Sequence, residues 1–90
     1  MLNKVKTALR QKTTAFDEFE IIPLIDACKF DLRLAGVDII EDTDPLITRA
    51  VILYVKGNFG YNADSEKFLK SYEMLKNSLA LAGDYKVQVI

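Results

Sequence analysis

The chain is predicted to be all-α, and three observations carry that reading. Apolar residues recur at spacings of three and four along several segments. Residues that start or stop helices bracket those segments. Period-two alternation is confined to a tail at residues 85–90, Tyr85-Lys86-Val87-Gln88-Val89-Ile90. The expected architecture is a compact bundle of three long helices, or four with a short N-terminal one, followed by a short extended tail. Ninety residues make one domain, 1–90, and no internal repeat or low-complexity segment divides it.

Met1 to Arg10 reads as a short amphipathic helix, with Leu2, Val5, Ala8 and Leu9 on one side and Lys4, Lys6 and Arg10 elsewhere. So short a helix persists only if it docks. Gln11 to Ala15 is a polar link. Asp17 followed by Glu20 forms an Asp variant of the capping box, and Phe16 and Ile21 occupy the positions of a hydrophobic staple. Pro23 removes a backbone donor and crowds the carbonyl of Phe19, so the second helix either kinks there or begins near Ile22. Beyond it, Leu24, Ile25, Ala27, Cys28, Leu32, Leu34 and Ala35 span more than one narrow stripe. A helix apolar over so wide an arc contacts neighbours on two sides. Gly36 is expected to end it, and Val37 to Ile40 form either a brief strand or a pinned loop.

The segment Asp44–Tyr61, DPLITRAVILYVKGNFGY, is the most informative. Asp44 suits the N-cap, and Pro45 suits the first helical position, where its missing N–H would have had no partner. Leu46, Ile47, Ala50, Val51, Tyr54, Val55 and Asn58 make one stripe, which is expected to be buried. Gly57 and Gly60 bracket the helix end, and the Asn58-Phe59-Gly60-Tyr61 corner turns the chain toward the last helix. That helix begins at Asn62 to Asp64, carries Phe68, Tyr72, Leu75, Leu79 and Ala82 in core register, and is expected to stop at Gly83.

Half the residues are hydrophobic, generous for a chain whose own core is modest, so apolar surface is left for an oligomer to hide. The net charge of −1 is unevenly spread. Residues 1–16 carry Lys4, Lys6, Arg10 and Lys12 and no acid, whereas residues 17–45 hold nine acids against Lys29 and Arg33. Four separated cations make a weak version of the basic stripe of a nucleic-acid reader, which disfavours tight DNA binding. One cysteine excludes an internal disulfide and fits a reducing compartment. Cys28 shares a helical face with Ile25 and Leu32 and is expected in the core. No apolar run reaches membrane-spanning length and the start lacks a secretion signal, so a soluble cytoplasmic protein is expected.

Catalytic chemistry finds little to work with. The absence of histidine removes the commonest general base and zinc ligand, together with Ser-His and Cys-His pairs. The acidic groups Asp17-Glu18-Glu20 and Glu41-Asp42-Asp44 precede helices, where capping and the helix dipole account for them better than a metal does. No glycine pattern matches a phosphate or dinucleotide loop. Phe59, Tyr61, Phe68 and Tyr72 near Lys56, Lys67 and Lys70 could stack bases, but packing explains all four. Neither an enzyme nor a cofactor is expected.

Taken with Ser65-Glu66-Lys67-Phe68, Ser71-Tyr72-Glu73, Gly83-Asp84-Tyr85, Leu2-Asn3-Lys4-Val5-Lys6 and Leu24 to Leu32, the Asp44–Tyr61 segment resembles the head–tail connector proteins of long-tailed bacteriophages, often catalogued as DNA-packaging proteins. The resemblance covers nearly the whole chain and rests on helix order, the Asp-Pro start and the aromatic-Gly corner. It implies a structural role in virion assembly in the host cytoplasm and then in the virion neck. The subunit would form a homo-oligomeric ring matching the portal's twelvefold symmetry, dock on the portal protein, extend the DNA channel without reading sequence, and offer a platform to the next neck or stopper protein. No membrane is involved. The expected subunit contact pairs Lys4, Lys6, Arg10 or Lys12 of one copy with Asp26, Asp31, Glu41 or Asp42 of its neighbour. Val87, Val89 and Ile90 are expected to latch onto a neighbour or the portal, while Asp44, Pro45, Gly57, Phe59, Gly60 and Tyr61 build the structural corner. The competing reading is a small helical DNA-binding or regulatory protein.

Overall fold

A computed structural model describes residues 1–10, 17–59 and 63–87, with Asp17 and Glu18 described by their backbone. These residues form four α-helices: α1 (Leu2–Leu9), α2 (Ile22–Leu34), α3 (Pro45–Asn58) and α4 (Ser65–Leu81). A π-helical turn at Asp17–Ile21 precedes α2, and a 3₁₀ turn at Gly83–Tyr85 follows α4. Among the described residues there is no strand, so the all-α expectation with four helices holds.

Helix α3 is the centre, and α1, α2 and α4 all pack on it. Its buried set is Ile47, Ala50, Val51, Leu53, Val55 and Gly57, broader than the expected stripe because it has partners on three sides. Leu53 joins the core, whereas Leu46 stays 49% exposed and Asn58 exposed. Both belong to terminal turns, beyond the cover of the neighbouring helices. The Asn58 side chain instead donates to the Tyr54 carbonyl at 2.8 Å. Asp44 caps as expected, its Oδ1 accepting from the backbone N–H of Leu46 at 2.8 Å and of Ile47 at 3.3 Å.

The start of α2 resolves the Pro23 question. The chain makes one wide π turn through Ile21, then enters α2 at Ile22 with Pro23 in its first turn, where an absent N–H costs nothing. The staple through Phe16 and the side-chain cap of Asp17 lie outside the described residues, as does the Gln11–Ala15 link. Helix α2 ends as expected at Gly36, whose φ of +104° accompanies bonds from Gly36 N to Arg33 O at 3.0 Å and from Val37 N to Leu32 O at 2.9 Å. This is a Schellman stop, and Leu32 and Val37, both fully buried, supply its hydrophobic contact. Helix α1 ends one residue earlier than expected, at Leu9, because Arg10 turns left-handed with φ 58°.

Two glycines act differently from expectation. Gly57 does not stop α3; it is buried inside the helix, where a Cβ would come within 2.5 Å of both Cγ and Cδ2 of Leu69 on α4. Its role is close approach of α3 to α4. Gly83 does not stop α4 either: the helix ends at Leu81, Ala82 is extended, and Gly83 opens the 3₁₀ turn with nothing within 4 Å of a Cβ position. Gly60 and Tyr61 of the corner lie outside the described residues. Phe59 is half-buried against the core, and its N–H reaches the Val55 carbonyl at 2.7 Å.

Replacing Gly57 by Ala sets a helix-propensity gain of about 1 kcal/mol against an overpacking cost of about 1–3 kcal/mol. Because the contact involves the branch carbon of Leu69, the clash should win, and denaturant titration should show net destabilisation. A double-mutant cycle with Leu69→Ala should recover the clash as coupling. Gly83→Ala should leave stability within about 0.5 kcal/mol of the parent.

Candidate assembly surfaces

The residues expected to build subunit contacts divide into those already engaged within the chain and those facing outward. Asp42 sits where the α2–α3 connection meets α1. Its Oδ1 pairs with Lys29 Nζ at 2.8 Å, its Oδ2 lies 3.8 Å from the N-terminal ammonium, and its carbonyl accepts from Lys4 Nζ at 3.0 Å. The Lys29 hydrogen bond outweighs partial burial and, with the N-terminus and Lys4, lowers the Asp42 pKa. The cationic start and the acidic middle therefore meet at Lys4 and Asp42 inside one chain. Lys6 is half-buried, Arg10, Asp26 and Glu41 are exposed, and Lys12 lies outside the described residues.

Asp31 is tied down from α4. Its Oδ2 accepts from the Tyr72 hydroxyl at 2.6 Å and from Lys76 Nζ at 3.0 Å, and Lys76 also pairs with Glu73 at 2.9 Å. Burial opposes the charge on Asp31, but Tyr72 and Lys76 together overcome it and lower its pKa. Tyr72 is 1% exposed and packs edge-on to Tyr54 with ring centroids 5.1 Å apart. Burial, then the bond to Asp31, pushes its hydroxyl pKa up, so it remains a donor. Cys28 lies beside this group in the core as expected; burial pushes its thiol up to about 12. A thiol held neutral in this way is a packing group, not a nucleophile. Among the described residues no cluster of three or more His, Cys, Asp or Glu is placed to hold a metal ion.

The extended tail, whose later residues are expected to latch onto a neighbour or the portal, finds a partner within its own chain. After the 3₁₀ turn, Tyr85 O accepts from the N–H groups of Asp38 at 2.8 Å and Ile39 at 3.1 Å. Val87 N donates to Asp38 Oδ2 at 3.2 Å, and Lys86 Nζ bonds the Gly36 carbonyl. The Tyr85 hydroxyl donates to Asp44 Oδ2 at 2.8 Å, leaving Oδ1 to cap α3. Burial opposes the Asp44 charge, but Tyr85 and the two capping N–H groups outweigh it and lower its pKa. The unassigned segment 37–40 and the tail thus clasp each other. Val87 is 63% exposed at the end of this clasp, and Val89 and Ile90 lie outside the described residues.

Apolar surface remains uncovered, including Leu34, which the wide arc of α2 was expected to place against a neighbour. On α2, Phe30 is 60% and Leu34 73% exposed; on α4, Met74 is 67% and Leu81 88% exposed. The wide apolar arc of α2 was the available signal. None of the described helices is long and apolar enough to cross a membrane.

Asp31, Asp42 and Asp44 each have a folded pKa below the ordinary carboxylate value of 3.8, so near that value the unfolded chain holds more protons than the folded one. Their contribution is complete above about pH 5 and is lost as pH falls through the folded pKa values. Thermal melts should therefore be flat from pH 5 to 7 and drop steeply below pH 4, and Asp31→Asn combined with Asp42→Asn should flatten that acid limb. Tyr72→Phe should cost about 1.5–3 kcal/mol at neutral pH, the range for a hydrogen bond to a charged group.

No curated protein and no solved structure gives a match to the chain. The sequence profile of one family, described as phage connector protein, matches residues 1–86, the span that holds all four helices, the Asp44 cap and most of the clasp. That match agrees with the resemblance read from the Asp-Pro helix start and helix order, and the chain belongs to the phage connector family, whose members are structural proteins of the virion.

Proposed function

We infer that this chain is a subunit of a homo-oligomeric ring that docks beneath the portal of a filled phage head, extends the DNA channel and offers a platform to the next neck or stopper protein. Assembly would begin in the host cytoplasm and finish in the virion neck. The observation that carries this reading is the connector family match across residues 1–86. The exposed apolar side chains on two separate helices support it, because a monomer gains nothing from leaving Phe30 and Leu81 in water.

The mechanism is geometric. A ring closes when one patch of a subunit meets a different patch on the next and the rotation returns to its start, here with the portal's twelvefold order as template. Within the charge pairing proposed between neighbours, Lys4 and Asp42 already serve the chain's own α1, and Asp31 serves α4. The outward charges of that set that remain for a neighbour are Arg10 at the end of α1, Asp26 on α2 and Glu41 in the α2–α3 connection, all exposed. Val87 and the residues after it, Val89 and Ile90, continue from the clasp as a latch that can add to an exposed backbone edge of the portal or a neighbour. DNA passes through the channel without sequence-specific contacts, and the chain transforms no substrate.

Mixing the purified chain with its cognate portal should give a defined multi-subunit complex in native mass spectrometry. Salt-dependent shift of duplex DNA with no portal complex would instead make the protein a DNA reader. Deleting Val87–Ile90 should weaken portal binding at least tenfold while leaving the helical circular dichroism signal intact; unchanged binding would reject the latch.

A further inference from the structure

Helix α2 is apolar on two opposite sides. Ile25, Cys28 and Leu32 face the core, and Phe30 and Leu34 lie on the opposite side, uncovered. Asp26 stands one turn before Phe30 on the same outer ridge, exposed and without an ion-pair partner among the described residues. Read from its N-terminal end, this ridge runs acid, aromatic, aliphatic: Asp26, Phe30, Leu34. The outer ridge of α4, opposite buried Tyr72 and Leu79, runs Lys70, Met74, Leu81. Lys70 is likewise exposed and lacks an ion-pair partner among the described residues. The first step is four residues, about 6 Å, in both ridges, and the second is four residues on α2 and seven on α4.

The two ridges are therefore unlike surfaces with matching order and opposite charge. Laid side by side in the same direction, they bring Asp26 to Lys70 and Phe30 to Met74, with Leu81 lying about 4.5 Å beyond Leu34 along the pair. Aromatic–thioether contact is favourable, and Met adapts to the neighbour it meets. Two α2 ridges laid the same way would oppose Asp26 to Asp26, and two α4 ridges Lys70 to Lys70, whereas the mixed pair opposes unlike charges. Pairing of unlike patches is what a closed head-to-tail ring requires.

We propose that the outer ridge of α2 docks on the outer ridge of α4 of a second copy of this chain, and that this contact is the lateral interface of the ring. The proposal rests on the ring reading above and assigns its faces. The buried side of α2 holds each subunit together, and its outer side joins subunits. The Asp26–Lys70 pair sets the register while the apolar residues supply the driving force.

Cysteine crosslinking tests the assignment on the full-length chain in the presence of the portal, with Cys28 buried and out of reach of the reagent. A mixture of Phe30→Cys and Met74→Cys chains treated with a short bismaleimide should give a covalent dimer that neither variant gives alone. Asp26→Lys and Lys70→Glu should each weaken ring formation at least tenfold, and the double exchange should restore it. All these positions are exposed, so circular dichroism melts should match the parent. Crosslinked dimers from Phe30→Cys alone, crosslinks from Phe30→Cys to the portal, or rings unaffected by Phe30→Glu with Leu34→Glu would each overturn the interface. A parent chain that forms no complex with the portal would overturn the ring reading itself, and is told apart by failing before any substitution is made.

Discussion

The burial demand of α3 organises everything else in this molecule. Its apolar residues cover so much of its circumference that one partner helix cannot shield them, and the chain commits α1, α2 and α4 to the task. Close approach is obtained where Gly57 lets Leu69 settle against the α3 backbone. Four helices arranged around one of their own number leave each outer helix with a free side. In α1 that side is polar and α4 mixes charge with Met74 and Leu81, whereas on α2 it is largely apolar. A small chain that spends its helices this way has none left to cover the last one.

The polar interactions do a different job from the core. Asp31, Asp42 and Asp44 each join segments distant in sequence: α2 to α4, the α2–α3 connection to α1, and α3 to the C-terminal turn. All three sit where the carboxylate remains partly hydrated, so the cost of burial stays small against the gain from paired donors. They fix the relative placement of helices that apolar packing alone would permit to slide. A defined shape is what these bonds protect.

Local chemistry made much of this legible in advance. The Asp44 cap, Pro45 at the first helical position and Gly36 at the end of α2 were readable because each depends on residues a few positions apart. Cys28 and Tyr72 were placed in the core by helical register, which is also local. Gly57 was misread as a stop because a glycine near a helix end looks the same whether it terminates the helix or admits a neighbour, and the neighbour, Leu69, is specified only by the fold. The partners of Asp31 and of the tail were invisible for the same reason, since Tyr72 lies 41 residues from Asp31 and Lys86 lies 50 from Gly36. The charge segregation was visible, but its use within the chain at Lys4 and Asp42 was not, because sign alone does not distinguish a contact inside one chain from one between two.

The clasp between residues 36–44 and 83–87 has a kinetic side. It joins segments separated by about half the polypeptide through a handful of solvent-touched bonds, whereas each helix forms from neighbours and the core closes on apolar area. Loop closure over that length is entropically costly and little buried surface rewards it, so these bonds come late in folding and open early in native fluctuations. The amides of Asp38 and Ile39, which close the clasp, thereby become clocks for its opening.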